Sequence, residues 1–567
     1  MYSKKILNAS VVSLVAVASI SVLGAAVLAG CGSSSSSASS SSPSHVLLIS
    51  FDGLHQQDLA NCTANKTCPN IAALANTGVT YTGAITPGLS DSFPGLAALV
   101  TGATPATTGL FYDVSYDRNL YAPSDVACAS TKGWNVVFDE TAGVDGFAGG
   151  SLVHLNGGGG FNPDAIPHAL VNGNCVPVYP HNYIKTNTVF EVVKENVAGS
   201  RTAWADKHAW AYDWVNGPSG TGVDDLARTE INSIDPTNNG NDYSVGYQHT
   251  EVFDGFHTQI ILNQIDGKDS TGTVLAPTPT VFGTNYQTLS VAQKDLATNH
   301  GGYTDANFTP DTEVAAAITF LDGEVGKMVA ELKAKNLYNS TMIVITAKHG
   351  QSPSDHTKLV KNGDTLTALL MAKGYLPIGG NFGQFNTTSG SLNDGTGLSG
   401  TGIVQTDDVG LIWLQNPASA VAAVADLKAN SGCATGICAD GPQAYILSAA
   451  SGVITGTGTQ FDNTGLIARF GDPVLGRTPD IIVQPNPGVI YTSSKKKDAE
   501  HGGNAPDDRH VGLLVSYPSL SAQTVSTAVV TTQVAPTILQ ALGGASLAAK
   551  LNGVAVEHTT VLPGLPF

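Results

Sequence analysis

The chain has 567 residues, 45 acidic against 27 basic, for a formal net charge of −18. So acidic a balance, with no basic tract beyond Lys495-Lys496-Lys497, excludes nucleic-acid polymers as an expected partner. It also means that any anionic ligand, a phosphoryl group included, needs locally placed cations or metal ions.

The N-terminus reads as an export signal. Lys4 and Lys5 precede an apolar run from about residue 6 to residue 28, which stops at Leu28-Ala29-Gly30-Cys31. The run alone is also long enough for a membrane span. A cysteine directly after Leu-Ala-Gly resembles a bacterial lipobox, which makes Cys31 the expected lipidation site and the anchor to a membrane. Residues 32–44 are almost all serine, a composition that buries no core and serves as a linker. Gly32 after the cysteine points to the outer membrane of a Gram-negative bacterium, by analogy with sorting there. The expected organisation is therefore 1–31 signal and lipobox, 32–44 linker, and 45–567 one globular domain.

Within that domain, apolar runs alternate with helical patterns. His45–Phe51 reads as a buried strand ending at Asp52, and Thr341–Thr346 as another ending at Ala347-Lys348-His349. Residues 479–483 and 511–515 add two more. Runs apolar on both faces suit a parallel sheet covered by helices. Val314, Ile318, Leu321, Val325, Met328 and Leu332 recur at helical spacing, with Thr309 as the expected cap and Pro310 in the first turn. Gly-, Asn- and Ser-rich stretches near 130–190 and 380–450 read as insertions or cap loops. The latter region carries a strand–helix–strand rhythm from 407 to 447. The remaining six cysteines suit an oxidising compartment. Cys62 and Cys68 are close, as are Cys433 and Cys438, which leaves Cys128 with Cys175. Three disulfides are expected, and no Cys-x-x-Cys pair favours a zinc–thiolate site.

Open α/β sheets gather ligands beyond the carboxyl ends of their strands. Polar clusters at such positions are Asp52-Gly53, Lys348-His349-Gly350 and Glu500-His501-Gly502-Gly503. Phe51-Asp52-Gly53, then Asp91-Ser92-Phe93-Pro94-Gly95 with Leu99-Val100-Thr101-Gly102, then Ala347-Lys348-His349-Gly350, the late His501-Gly502 and finally 532–539 follow one order. In that order the chain resembles the alkaline phosphatase superfamily, nearest its type I phosphodiesterase/nucleotide pyrophosphatase branch. The resemblance implies a three-layer α/β sandwich: a mostly parallel central sheet, helices on both faces and inserted cap loops. It makes Ser92 the nucleophile, with Ser90 as the alternative. A helix N-terminus offers N–H groups to a phosphate, though a serine there also serves as an ordinary cap. The resemblance further implies divalent metal, zinc by type and one or two ions, on Asp52, His349 and His501. The expected substrate is a small phosphorylated molecule.

The chain departs from the family pattern at two places. Lys348 stands where the motif has aspartate, and a lysine is no like-for-like metal ligand. Residues 282–293 hold no Asp-x-x-x-His; Asn285 and Gln287 offer neutral oxygens, and His300 and Asp305 lie nearby. Two readings are open: a phosphoester or phosphodiester hydrolase in which Lys348 offsets phosphoryl charge, or a catalytically degenerate surface binding protein. A sulfatase is disfavoured, because no arginine follows Ser92-Phe93-Pro94 as formylglycine formation requires. Asp206-Lys207-His208 reads as a polar, turn-rich segment, either lining the cleft or, preferred, a solvated loop; Arg477 reads as a partner of Asp480 or of phosphate, and residues 507–510 as surface charge.

Overall fold

The computed structural model describes residues 42–138, 142–143, 159–208, 210–294, 302–363, 365–377, 385–386, 391–392, 399–430, 444–446, 470–471, 476–492 and 497–567. Cys31, His300, Cys433 and Cys438 lie outside them. Among the described residues no helix is long and apolar enough to cross a membrane.

One eight-stranded sheet organises the molecule. Its strands in chain order are β1 (His45–Phe51), β2 (Gly78–Tyr81), β3 (Ala203–Ala205), β4 (Asp225–Ala227), β5 (Val281–Tyr286), β6 (Thr341–Thr346), β7 (Leu514–Ser516) and β8 (Gln523–Val525). In space they run β8-β2-β7-β6-β1-β5-β3-β4. All neighbouring pairs are parallel except those made by β7, which is antiparallel to both β6 and β2. The centre is apolar on both faces: Val46, Leu47, Leu48 and Ile49 of β1 are wholly buried. Each such side chain contributes about 1.5–3 kcal/mol relative to exposure.

Four helices bear on the placement of polar groups at the sheet edge: α1 (Ser92–Thr101), α2 (Tyr247–Ile265), α3 (Thr288–Lys294) and α4 (Thr312–Ala334). The expected helix over 314–332 is α4, but its cap is Asp311, not Thr309. The Asp311 carboxylate accepts from Glu313 N and Val314 N, two amides that helix geometry leaves without partners. The expected strand at 479–483 forms as Ile481–Val483, in a different place. It joins Ile403–Thr406, Gly410–Trp413 and Ala444–Ile446 in a separate antiparallel four-stranded sheet beside the helix Ala420–Asn430. The expected strand at 511–515 starts later, at Leu514, and is the antiparallel one.

The parallel register sets the stage for chemistry. Asn285 of β5, Ser50 of β1 and Thr346 of β6 are aligned across the sheet, all buried. Two residues on, Gln287, Asp52 and Lys348 continue the same rows at the carboxyl edge, as the two-residue period of strands requires.

Cys62 bonds to Cys68 and Cys128 to Cys175, as the sequence pairing implied. The second bridge spans 47 residues, a loop whose closure is worth about 4 kcal/mol in the chain-entropy description. Replacing Cys128 and Cys175 together by serine is expected to lower unfolding stability by roughly that amount, about 4 kcal/mol in denaturant titration. A change below about 1 kcal/mol would show that the unfolded chain is not constrained by this bridge.

Candidate functional site

Four adjacent parallel strands, β6, β1, β5 and β3, each end in a polar residue at the same sheet edge. They deliver Lys348 and His349, Asp52, Gln287, and Asp206 and Lys207 respectively. Ser92 comes to them as the first residue of α1. The cap of that helix is Asp91, whose carboxylate accepts from Phe93 N at 3.0 Å. Ser92 is thus not the cap its position allowed, and its hydroxyl points into the site. Ser90 bonds instead to Thr86 at 2.8 Å. Gly95 lets α1 sit directly on the Lys348 carbonyl, where any Cβ would collide with the strand end.

Ser92 Oγ lies 3.5 Å from Asp52 Oδ2, 3.4 Å from His349 Nε2 and 3.3 Å from Lys207 Nζ. His349 Nε2 is 3.7 Å from Asp52 Oδ2. His349 Nδ1 contacts the Gly350 carbonyl at 2.7 Å, an arrangement that places the proton on Nδ1 and leaves Nε2 as a donor of its lone pair. His501 stacks on His349 with ring centroids 4.0 Å apart, and its Nδ1 is 3.7 Å from Asp91 Oδ1.

Lys348 is wholly buried, so its ammonium needs counter-charge. Asp206 Oδ1 supplies it at 2.8 Å, Asp52 Oδ2 stands at 3.9 Å, and the Tyr212 ring lies 4.5 Å below the ammonium. Asp206 is itself fixed, by Trp204 Nε1 at 3.1 Å and by the Lys207 backbone N–H at 2.9 Å. The segment 206–208 is therefore no solvated loop: Asp206 and His208 are buried, and His208 pairs with Glu230 at 2.7 Å.

Burial alone would raise the Asp52 pKa, but the charges of Lys348, His349 and Lys207 and a hydrogen bond from Gln287 hold it down to about 2. Burial raises Asp206, against the opposing pull of Lys348. Burial takes His349 down to about 4, although Asp52 and the Gly350 carbonyl oppose it. His501 is lowered further, by burial and then by His349, Lys294 and Lys207.

Of the remaining candidates, Asp305 is spent on an exposed turn with Asn307 and Thr309. Asn285 is buried one row below the site. Gln287 turns its amide nitrogen onto Asp52 Oδ2. The carboxylate nearest Gln287 from behind is Asp254, pushed up by burial to about 8. It accepts from Gln287 N and from Thr288 N and Oγ1, so it serves the start of α3 and not the site. Arg477 pairs with Asp117, while Asp480 pairs with Arg118. Asp508, read as surface charge, is buried beside Asp408.

The donors can be tested against a metal ion. Asp52 Oδ2, Ser92 Oγ and His349 Nε2 stand 3.4–3.7 Å apart, close to the about 3.3–3.6 Å between ligands of one tetrahedral ion. Asp52 Oδ1, buried, has no hydrogen-bond partner among the described residues. One ion fits this triangle, with serine as its third member. Among the described residues no group of three or more His, Cys, Asp or Glu side chains is spaced to hold an ion. Beyond this triangle the described residues place His501 Nδ1 3.7 Å from Asp91 Oδ1, while Gln287 presents nitrogen to Asp52, so a second ion falls short of the four ligands it takes.

A serine at a helix N-terminus, contacted by Lys207 and backed by the buried Lys348 at the carboxyl edge of a parallel sheet, defines an anion-handling site of the phosphoryl-transfer kind. Residues 46–508 match the family model "Type I phosphodiesterase / nucleotide pyrophosphatase", and the chain belongs to that family of phosphoric-ester hydrolases. Members of this family depend in general on divalent metal. Solved structures similar to it include murine ectonucleotide pyrophosphatase/phosphodiesterase 5, at 12% identity and TM-score 0.49, covering 92% of this chain and 96% of that one. An inactive variant of that murine protein in complex with AMP gives 12% identity, TM-score 0.48 and the same coverage. The human counterpart gives 12% identity, TM-score 0.46, and again 92% and 96%. No curated protein sequence matches.

The geometry sets two expected outcomes. Asp206→Ala strands the Lys348 ammonium in the interior and is expected to cost about 3–5 kcal/mol in chemical denaturation; a loss under about 1 kcal/mol would mean that Lys348 finds another partner. His349 offers Nε2 only when neutral, so the acid limb of kcat/KM is expected near pH 4, the value burial gives it, with activity lost as pH falls through it. A limb near the ordinary histidine value of 6.5 in the pH–rate profile would contradict this.

Proposed function

We propose that this chain hydrolyses phosphoesters or phosphodiesters of small molecules outside the cytoplasm, with Ser92 as nucleophile. The observation that carries the reading is Ser92 Oγ, uncapped at the start of α1 and within 3.3–3.5 Å of Asp52, His349 and Lys207. Asp52 and His349 would hold a divalent ion together with Ser92, zinc by ligand type; bound there, the ion supplies Lewis acidity that eases ionisation of the hydroxyl. Ser92 Oγ bonds to phosphorus as the bond to the leaving alcohol breaks, and water then cleaves the phosphoserine. In the first turn of α1, Phe93 N–H is taken by the Asp91 carboxylate, Gly95 N–H by the Asp91 carbonyl and Pro94 has none, which leaves the Ser92 N–H to meet the developing charge on the phosphoryl oxygens. Lys348 keeps Asp52 ionised and offsets phosphoryl charge from behind it. His501, stacked on His349, contacts the leaving group.

Export is part of the proposal. The leader ending at Cys31, the serine linker and two disulfides support an anchored protein in an oxidising compartment, on the outer membrane by the residue after Cys31.

Gln287, with its amide nitrogen on Asp52, favours the alternative of a binding protein on a phosphatase-like scaffold. The two separate on metal content and turnover of the lipid-free domain. The hydrolase reading expects a bound divalent ion and cleavage of a chromogenic phosphodiester, reduced by about three orders of magnitude or more in Ser92→Ala. No metal and no turnover across added divalent ions would establish the binding protein instead.

A further inference from the structure

Lys207 lies outside the motifs that carry the family resemblance, yet its ammonium donates to Ser92 Oγ at 3.3 Å. Its position is not accidental to a mobile side chain. The preceding residue, Asp206, is held on three sides, by Lys348 Nζ, Trp204 Nε1 and the Lys207 N–H. The backbone at 207 is therefore fixed where β3 ends, and only the side chain's own rotamers remain. Asp52, Ser92, Lys348 and His349 are buried, whereas Lys207 is partly exposed.

The two lysines of the site divide their work by what they touch. The Lys348 ammonium is wholly buried and bound at 2.8 Å to Asp206 inside the protein. The Lys207 ammonium contacts the nucleophile itself. Once Ser92 Oγ bonds to phosphorus, the non-bridging oxygens sit on the same tetrahedron as Oγ, within reach of the same ammonium without backbone movement. A hydrogen bond from a cation to such an oxygen strengthens as charge builds there, which is the condition for accelerating the step.

We propose that Lys207 is a catalytic residue of this site, donating to Ser92 Oγ before reaction and to a non-bridging phosphoryl oxygen during it, in place of the second ion that the donor set does not hold. The proposal rests on Ser92 being the nucleophile. In the step, the Ser92 Oγ–P bond forms while the P–O bond to the leaving group breaks. The electron pair departs on the leaving oxygen, which takes a proton from water, and the serine proton passes to solvent. Lys207 remains an ammonium throughout and transfers no proton.

The test uses the exported domain as Lys207→Ala, Lys207→Arg and Ser92→Ala. Lys207→Ala is expected to lower kcat for a chromogenic phosphodiester about 10²–10³-fold, with KM changed much less. Its thermal midpoint should match wild type. Methylammonium should restore part of the rate in Lys207→Ala, saturably, and have no effect on wild type; Lys207→Arg should retain more activity than Lys207→Ala. Inorganic phosphate, titrated calorimetrically, should bind Lys207→Ala at least about tenfold more weakly than wild type. Full activity in Lys207→Ala beside an inactive Ser92→Ala would overturn the role of Lys207 while leaving the serine mechanism in place. A rate loss accompanied by a lowered midpoint and no amine rescue would assign Lys207 a structural role and overturn the proposal. If wild type shows no turnover, the hydrolase reading fails, and equal phosphate affinity in wild type and Lys207→Ala then removes Lys207 as a phosphate ligand as well.

Discussion

The site depends on one buried chain of charges: Asp52, Lys348 and Asp206, joined at 3.9 and 2.8 Å and almost wholly withdrawn from water. Charges so placed are tolerated only when paired and hydrogen-bonded. The pairing is reached by packing around a lysine that no solvent meets. Trp204 fixes the far carboxylate, Tyr212 lies under the ammonium, and Gly95 lets α1 close onto the Lys348 backbone. Ser92 is delivered by that same close approach. The position of the Ser92 hydroxyl and the lysine's counter-charge are therefore one packing problem, solved at the carboxyl edge of four neighbouring parallel strands.

How much of this is legible in the sequence depends on the length of each signal. β1 and β6 are seven and six residues with apolar cores, Val46–Ile49 and Met342–Ile345, that lead into polar residues, so the sequence alone puts Asp52, Lys348 and His349 at one edge. Ser92 and His501 are legible through resemblance to ordered family motifs. β3 is three residues, Ala203–Ala205, too short to show a period, and without it Asp206 and Lys207 read as a solvated loop. The overlooked signal is a small apolar run ending in Asp-Lys, the same form as the ends of β1 and β6. Apolar content also marks a strand as buried without saying in which sheet or direction it runs. Ile481–Val483 and Leu514–Ser516 are both buried strands, yet one belongs to the antiparallel insertion sheet and the other is the antiparallel member of the main one. Charged runs are ambiguous in the same way, as Asp508 beside Asp408 shows.

The glutamine at 287, in a segment where the family resemblance expects an aspartate, becomes intelligible from the sheet register. Gln287, Asp52 and Lys348 occupy one row across β5, β1 and β6. A carboxylate at 287 would stand against Asp52 and would need an ion between the two. The glutamine amide instead donates to Asp52 Oδ2 directly. Neutralising 287 and placing lysine at 348 act in the same direction: both remove the requirement for divalent charge on that side of Asp52 while keeping it ionised. What survives is the triangle of Asp52, Ser92 and His349, whose spacing still suits a single ion.

The chain's net charge of −18 argues against anionic ligands only on average. Clefts respond to the charges that line them, because low-dielectric walls focus nearby fields and exclude the screening that weakens distant ones. Lys207, Lys294 and Lys497 all act on His501, and Lys207 and Lys348 on Asp52. Glu500 is the counterweight to two of them, 2.7 Å from Lys497 and 3.6 Å from Lys294. Lys207, whose contact is with Ser92, lies on the nucleophile's side of this group. Within a chain that is acidic overall, the lysines of this region sit at strand and helix ends: Lys348 after β6, Lys207 after β3 and Lys294 closing α3. Their placement is a consequence of the fold's edge, where chains leave the sheet and side chains of opposite sign converge, and it reconciles an acidic protein with phosphate chemistry.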